Sequence, residues 1–137
     1  MKTRINRMLY GILFLMSLFQ LTVATEFKIS NQSSSDRVRV ALASGRVMPK
    51  WSGVIERLRQ ISGSSGLRQL IGIWVEYSKK GSTGFDYYYK DVSDLKIPVA
   101  KLGVPIAIGD NGTVVIGNQV VELGQRDAVS VHNYVNP

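Results

Sequence analysis

The stretch 71–91, IGIWVEYSKKGSTGFDYYYKD, decides how this chain is read. Ile71, Ile73, Val75 and Tyr77 alternate with Gly72, Trp74, Glu76 and Ser78, the two-residue period of a half-buried strand. Lys79 to Gly84 carries the glycines and polar residues of a turn. Phe85, Tyr87 and Tyr89 then share one face, and Asp86, Tyr88 and Lys90 the other. A β-hairpin follows, the segment of the chain richest in β-branched and aromatic residues.

Three consecutive tyrosines cannot all enter one core. Phe85 has the parity of Tyr87 and Tyr89, and Ile73, Val75 and Tyr77 offer an apolar face across the hairpin. These six are therefore expected inside. Tyr88 is left on the outer face, beside Trp74. Either that aromatic surface is open to a ligand or a second layer covers it, in which case the tyrosine run is core on both sides.

Working outward, Phe27 and Ile29 alternate with Lys28 and Ser30, and Val38, Val40 and Leu42 with Arg37, Arg39 and Ala41. The polar run 31–36 between them predicts a second hairpin. Near the C-terminus, 106–108, 113–116 and 119–123 read as three short strands joined by turns that contain Asn-Gly and Gly-Asn. Ala128 to Val135, with Val129, Val131 and Val135, reads as a last strand. Residues 91–103 are less regular, and Pro98 and Pro105 mark edge or loop there.

One segment changes period. Trp51, Val54, Ile55, Leu58 and Ile61 fall on a helical stripe, with Glu56, Arg57, Arg59 and Gln60 away from it. Ser52 is a candidate N-cap, and Gly63-Ser64-Ser65-Gly66 stops the helix. The expected fold is α+β and mainly β: a small antiparallel sheet or sandwich of short strands, with this amphipathic helix packed on it.

The first 24 residues stand apart. Lys2, Arg4 and Arg7 precede an apolar run from Met8 to Phe19, and Thr22-Val23-Ala24 puts small residues before a cut. This is the order of a secretory signal peptide. Residues 1–24 are expected to be removed and 25–137 to form a single β-rich domain, exported to the periplasm or the extracellular space. With its interrupted apolar run cleaved, no membrane span remains. The remaining 113 residues hold 14 Lys and Arg against 10 Asp and Glu, a net +4. The excess lies before Ile71. There is no cysteine, so packing alone must hold the domain together.

Motifs for chemistry are sparse. His132 is the single histidine and has no nucleophile paired with it in sequence. One histidine and no cysteine exclude the usual zinc sets. Asp86, Asp91 and Asp94 match no calcium-loop spacing. No phosphate-loop or nucleophile-elbow pattern occurs. Cofactors, metals and catalytic residues are expected to be none. Asn31-Gln32-Ser33 and Asn111-Gly112-Thr113 are glycosylation sequons, meaningful only in a eukaryotic host.

Two surfaces remain. Arg37, Arg39, Arg57 and Arg59 form a basic set suited to anionic groups, or simply a solvated face. Trp74 and Tyr88 are aromatic candidates for stacking on a sugar or anchoring a protein. The expected function is a non-enzymatic binding module whose partner is an anionic glycan, an envelope component or a protein. The alternatives are a small hydrolase or lyase working with carboxylates and tyrosines, and a secreted membrane-active protein. Nucleic acid is disfavoured by export.

Overall fold

The computed structural model describes residues 25–45, 48–66, 69–95, 97 and 102–137; the leader expected at 1–24 lies outside them. The described residues form two five-stranded sheets. The first holds β1 (Thr25–Asn31), β4 (Gln60–Gly66), β7 (Val104–Ile108), β8 (Thr113–Ile116) and β9 (Gln119–Glu122), in the order β4-β1-β7-β8-β9. The second holds β2 (Arg37–Ala43), β3 (Ile55–Glu56), β5 (Gly72–Ser78), β6 (Phe85–Asp91) and β10 (Gly124–Arg126), in the order β10-β6-β5-β2-β3. A short helix, α1 (Ala128–Tyr134), follows the last strand. The fold is α+β and mainly β.

Both sheets turn an apolar face to one core. Phe27, Ile29, Ile106, Ile108 and Val114 from the first meet Val38, Val40, Ile73, Val75 and Tyr77 from the second. Removing each aliphatic side chain from water contributes roughly 1.5–3 kcal/mol. The alternation in β1, β2 and β5 is thus the alternation of core and outer face. The three C-terminal strands form where their turns predict: Asn111, Gly112 and Gly117 take the positive φ those turns demand.

Four expectations fail, each for a physical reason. β1 and β2 do not form a hairpin. Asn31 carries the chain from one sheet to the other, its buried amide donating 3.0 Å bonds to the carbonyls of Ser35 and Ile55. Its Oδ1 accepts from the Ser33 amide at 3.0 Å and the Ser33 hydroxyl at 2.6 Å. β1 instead pairs with β4 and, in parallel, with β7, so the first sheet is mixed rather than antiparallel.

The helix expected from Trp51 is absent. Ser52 straps the segment to β2, its amide donating to the Val40 carbonyl at 2.8 Å and its hydroxyl accepting from the Val40 amide at 2.9 Å. Ile55 is buried in β3, whereas Val54 and Leu58 of the same apparent stripe are exposed. The run Gly63–Gly66, expected to stop a helix, lies in β4 and pairs with β1. Backbone groups along β1 need partners on both sides, and that need outweighs the weak helix preference of a segment containing Gly53, Ser62, Gly63 and Ser64.

The helix lies where a strand was expected. The Asp127 carboxylate caps it by accepting from the Ser130 amide at 2.8 Å. Val131 and Val135, four residues apart, are buried, and Val129 faces out. His132 sits exposed on this helix.

The hairpin of β5 and β6 forms as expected, with its faces exchanged. Its register pairs Ser78 with Phe85, Trp74 with Tyr89 and Val75 with Tyr88. Directly opposed residues share a face. The six-residue turn 79–84 therefore opposes odd positions on β5 to even positions on β6. Tyr88 packs against the main core, and Phe85, Tyr87 and Tyr89 lie on the outer face with Trp74.

Candidate functional site

The outer face of the second sheet is where the aromatic residues collect. Strand register lines up Gly72, Trp74 and Glu76 on β5 with Ala43, Ala41 and Arg39 on β2. On the other side stand Asp91, Tyr89 and Tyr87 of β6. The small residues make room for the large ones. A Cβ on Gly72 would sit 3.1 Å from a ring carbon of Tyr89 and 3.3 Å from the Ala43 Cβ. Tyr89 can therefore lie across β5, its ring centroid 4.3 Å from that of Trp74.

Helix α1 closes this face. Val131 and Val135 pack on Ala41 and Trp74, and Tyr134 stacks over Trp74 at 6.0 Å and 19°. Trp74 is only 5% exposed and forms the floor; Tyr134, 61% exposed, stands at the mouth. Between them opens a cleft of about 690 Å³, whose lining includes Trp74, Tyr89, Arg126, Ser130, Asn133 and Tyr134. The guanidinium of Arg126 lies 5.8 Å from the centre of the Tyr89 ring, a cation–π contact. Burial foremost, and then the charge of Asp91, push the Tyr89 phenol up, with Arg126 opposing them. At neutral pH Tyr89 is a hydrogen-bond donor.

A second cluster lies beside the cleft on the same face. Nε and Nη2 of Arg39 donate to the two carboxylate oxygens of Glu76, each at 2.7 Å. The Arg39 guanidinium rests 5.2 Å from the Trp51 ring centre, and Trp51 meets Tyr87 at 6.1 Å. The Glu76 hydrogen bond holds the Arg39 guanidinium above its ordinary pKa, although burial opposes it. Burial, followed by the Glu76 charge and hydrogen bond, raises the Tyr87 phenol.

Of the six candidates read from sequence, only Trp74 lines the cleft. Tyr88 is on the opposite face, edge-on to Tyr77 at 5.4 Å, so the two aromatic candidates do not meet. The arginines are not gathered into one row. Arg39 is neutralised by Glu76; Arg37 is exposed on β2 opposite Glu56; Arg57 and Arg59 flank the exposed turn at Leu58. Sequence reasoning missed Tyr89, Arg126, Asn133 and Tyr134. The Asp127 cap with valines at 131 and 135 was a readable helix signal for the last two, and the even-length turn was one for Tyr89.

Among the described residues, no group of three or more His, Asp or Glu gathers to hold a metal, and no helix is long and apolar enough to cross a membrane. Comparison with family models, with curated proteins and with solved structures returns no match for this chain.

Proposed function

We propose that the protein is an exported, non-catalytic binding module that holds a saccharide in the cleft between β5, β6 and α1. The observation that carries this reading is the composition and shape of the cleft: aromatic rings on the floor and at the mouth, with hydroxyl, amide and guanidinium groups around them. A sugar ring has apolar C–H faces that stack on such rings and hydroxyls that bond to such polar groups. The rings are already placed by β-register and by the buried valines of α1, so little ordering is needed on binding. The carboxylate–tyrosine pair that acid–base chemistry would draw on, Glu76 with Tyr87, is held under Arg39 outside the cleft lining. That favours recognition over hydrolysis. The N-terminal leader pattern supports action outside the cytoplasm.

The test is calorimetric titration of the protein with a panel of oligosaccharides, followed by Tyr134→Ala. Loss of this exposed ring is expected to weaken binding about tenfold or more, the effect of truncating an aromatic anchor, and to leave the unfolding midpoint unchanged. No binding across the panel, or unaltered binding by the variant, would overturn the reading.

A further inference from the structure

The geometry points to a saccharide that carries a carboxylate or sulfate, with Arg126 as the residue that selects it. This inference rests on the saccharide reading above. Among the described residues, Arg126 is the single formally charged one in the lining. Among the described residues, ion pairs join Arg39 to Glu76 and Lys79 to Asp86, and no carboxylate is within pairing distance of Arg126. The two nearby acids are committed elsewhere. Asp127 caps α1 through the Ser130 amide at 2.8 Å. Asp91 accepts from the Ser93 amide at 2.9 Å and the Ser93 hydroxyl at 2.6 Å.

The guanidinium is also placed for a ligand. Arg126 stands on β10, at the edge of the sheet, and folds back over Tyr89. Gly124, directly opposite Tyr89, leaves the space for this: a Cβ there would lie 3.2 Å from Nη1 of Arg126. Nη1 also donates to the Gln125 carbonyl at 3.1 Å, the one hydrogen bond the guanidinium makes among the described residues, and its planar fork carries further N–H donors. A guanidinium supported on an aromatic ring presents its donor edge sideways, which suits the two oxygens of a carboxylate or sulfate. The ligand is thus a sugar whose ring meets Tyr134 and Tyr89 and whose acidic group meets Arg126. The basic residues first singled out, Arg37, Arg39, Arg57 and Arg59, take no part, since none lines the cleft.

The experiment compares three oligosaccharides of one backbone, uncharged, uronate-bearing and sulfated, against the protein and its Arg126→Gln and Arg126→Lys variants. An acidic form is expected to bind about tenfold or more tighter than the uncharged one, the size of one charge-assisted bond, with the advantage shrinking as salt rises. The preferred acidic form identifies carboxylate or sulfate as the group. Arg126→Gln should erase the advantage, bringing the acidic forms to the affinity that the variant shows for the uncharged one, and Arg126→Lys should restore part of it. Equal binding of charged and uncharged forms, or a preference that survives Arg126→Gln, would overturn the role of Arg126 and leave the saccharide reading standing. Equal binding of an oligoglutamate peptide would overturn the choice of a sugar as carrier of the charge. No binding of any form sinks both readings together.

Discussion

Arg39 and Glu76 oppose each other across the pairing of β2 with β5 and share two hydrogen bonds of 2.7 Å on the outer face of the sheet. The Glu76 side chain is 5% exposed and the Arg39 side chain 33%. The carboxylate has therefore left water; Arg39 supplies its charge partner and the Tyr87 phenol a further hydrogen bond. Arg39→Ala would strand a buried charge and is expected to cost about 3 kcal/mol, the low end for such pairs because Arg39 is partly solvated. Replacing both together, Arg39→Met with Glu76→Leu, should recover most of that loss in a urea titration. Equal destabilisation by the single and double variants would mean that the pair is not coupled.

Tyr88 faces the core and closes against Gly112. At φ +82°, Gly112 brings its backbone under the Tyr88 ring, and a Cβ there would also lie 2.9 Å from the Leu123 carbonyl. Gly112→Ala adds left-handed strain and overpacking, and should destabilise by more than about 2 kcal/mol. Tyr88→Ala should cost about 3 kcal/mol. Phe85→Ala, on the outer face and half exposed, should cost under about 1 kcal/mol. Thermal and urea unfolding of the three variants rank them directly.

Tyr77 links the sheets through its hydroxyl, which donates to the Gly109 carbonyl at 2.7 Å and accepts from the Gly112 amide at 3.1 Å. Tyr77→Phe leaves that buried amide without its acceptor and should cost about 1–3 kcal/mol. Burial is the main reason the phenol's pKa is raised far above its ordinary value. The fold thus favours the neutral phenol. Its contribution is complete below the ordinary phenol pKa of about 10 and fades as pH rises beyond it. In an ultraviolet titration Tyr77 should ionise only as the protein unfolds, and Tyr77→Phe should remove that last component.

Asp110 ties the crossing between the sheets. Its Oδ1 accepts from the Ser34 amide at 2.6 Å and the Ser34 hydroxyl at 2.8 Å, and these bonds hold the carboxyl below its ordinary range. Here the fold favours the charged form. The stability it supplies is present above the unfolded carboxyl pKa of about 3.9 and is lost as pH falls below it. Asp110→Asn should be less stable than the parent at pH 7, and the two should converge as pH drops below 4. A constant gap across that window would show that ionisation of Asp110 does not matter.

Leu58 has φ +63° and is 70% exposed, so it carries backbone strain without burial in return. Left-handed backbone costs a side-chain-bearing residue about 1–2 kcal/mol. Leu58→Gly is expected to stabilise the protein by about 0.5–1 kcal/mol, because glycine's greater freedom when unfolded offsets part of the relief. Leu58→Asp, which a buried helical stripe would make severely damaging, should change stability by less than about 0.5 kcal/mol. Urea midpoints of both variants decide between a strained turn and a buried helix.

Strand content was legible because alternation needs only a two-residue period. Phe27 and Ile29, Val38 and Val40, and Ile73 and Val75 all lie in the core that their pattern implies. The turns at Asn111-Gly112 and Gly117-Asn118 were legible because few residues accept their φ. The helical spacing from Trp51 misled, since five apolar residues spread over two strands, a strap and a turn can share that spacing by coincidence. The valines 129, 131 and 135 misled in the other direction. There the decisive group was Asp127, whose cap starts α1 and leaves 131 and 135 as the buried pair.

Residue order alone implies a mainly β chain, the hairpin 71–91, the turn positions and an aromatic excess too large for one face. These are local properties, set by backbone sterics and by neighbours a few residues away. Which tyrosine points inward is settled by the folded chain, because hairpin faces depend on register across the turn, and a shift of one residue exchanges them all. It alone brought Tyr134 and Arg126 to Trp74 and Tyr89, from segments more than 30 residues away in the chain. It alone spent Arg39 on Glu76, because a buried carboxylate takes the nearest cation before any ligand can.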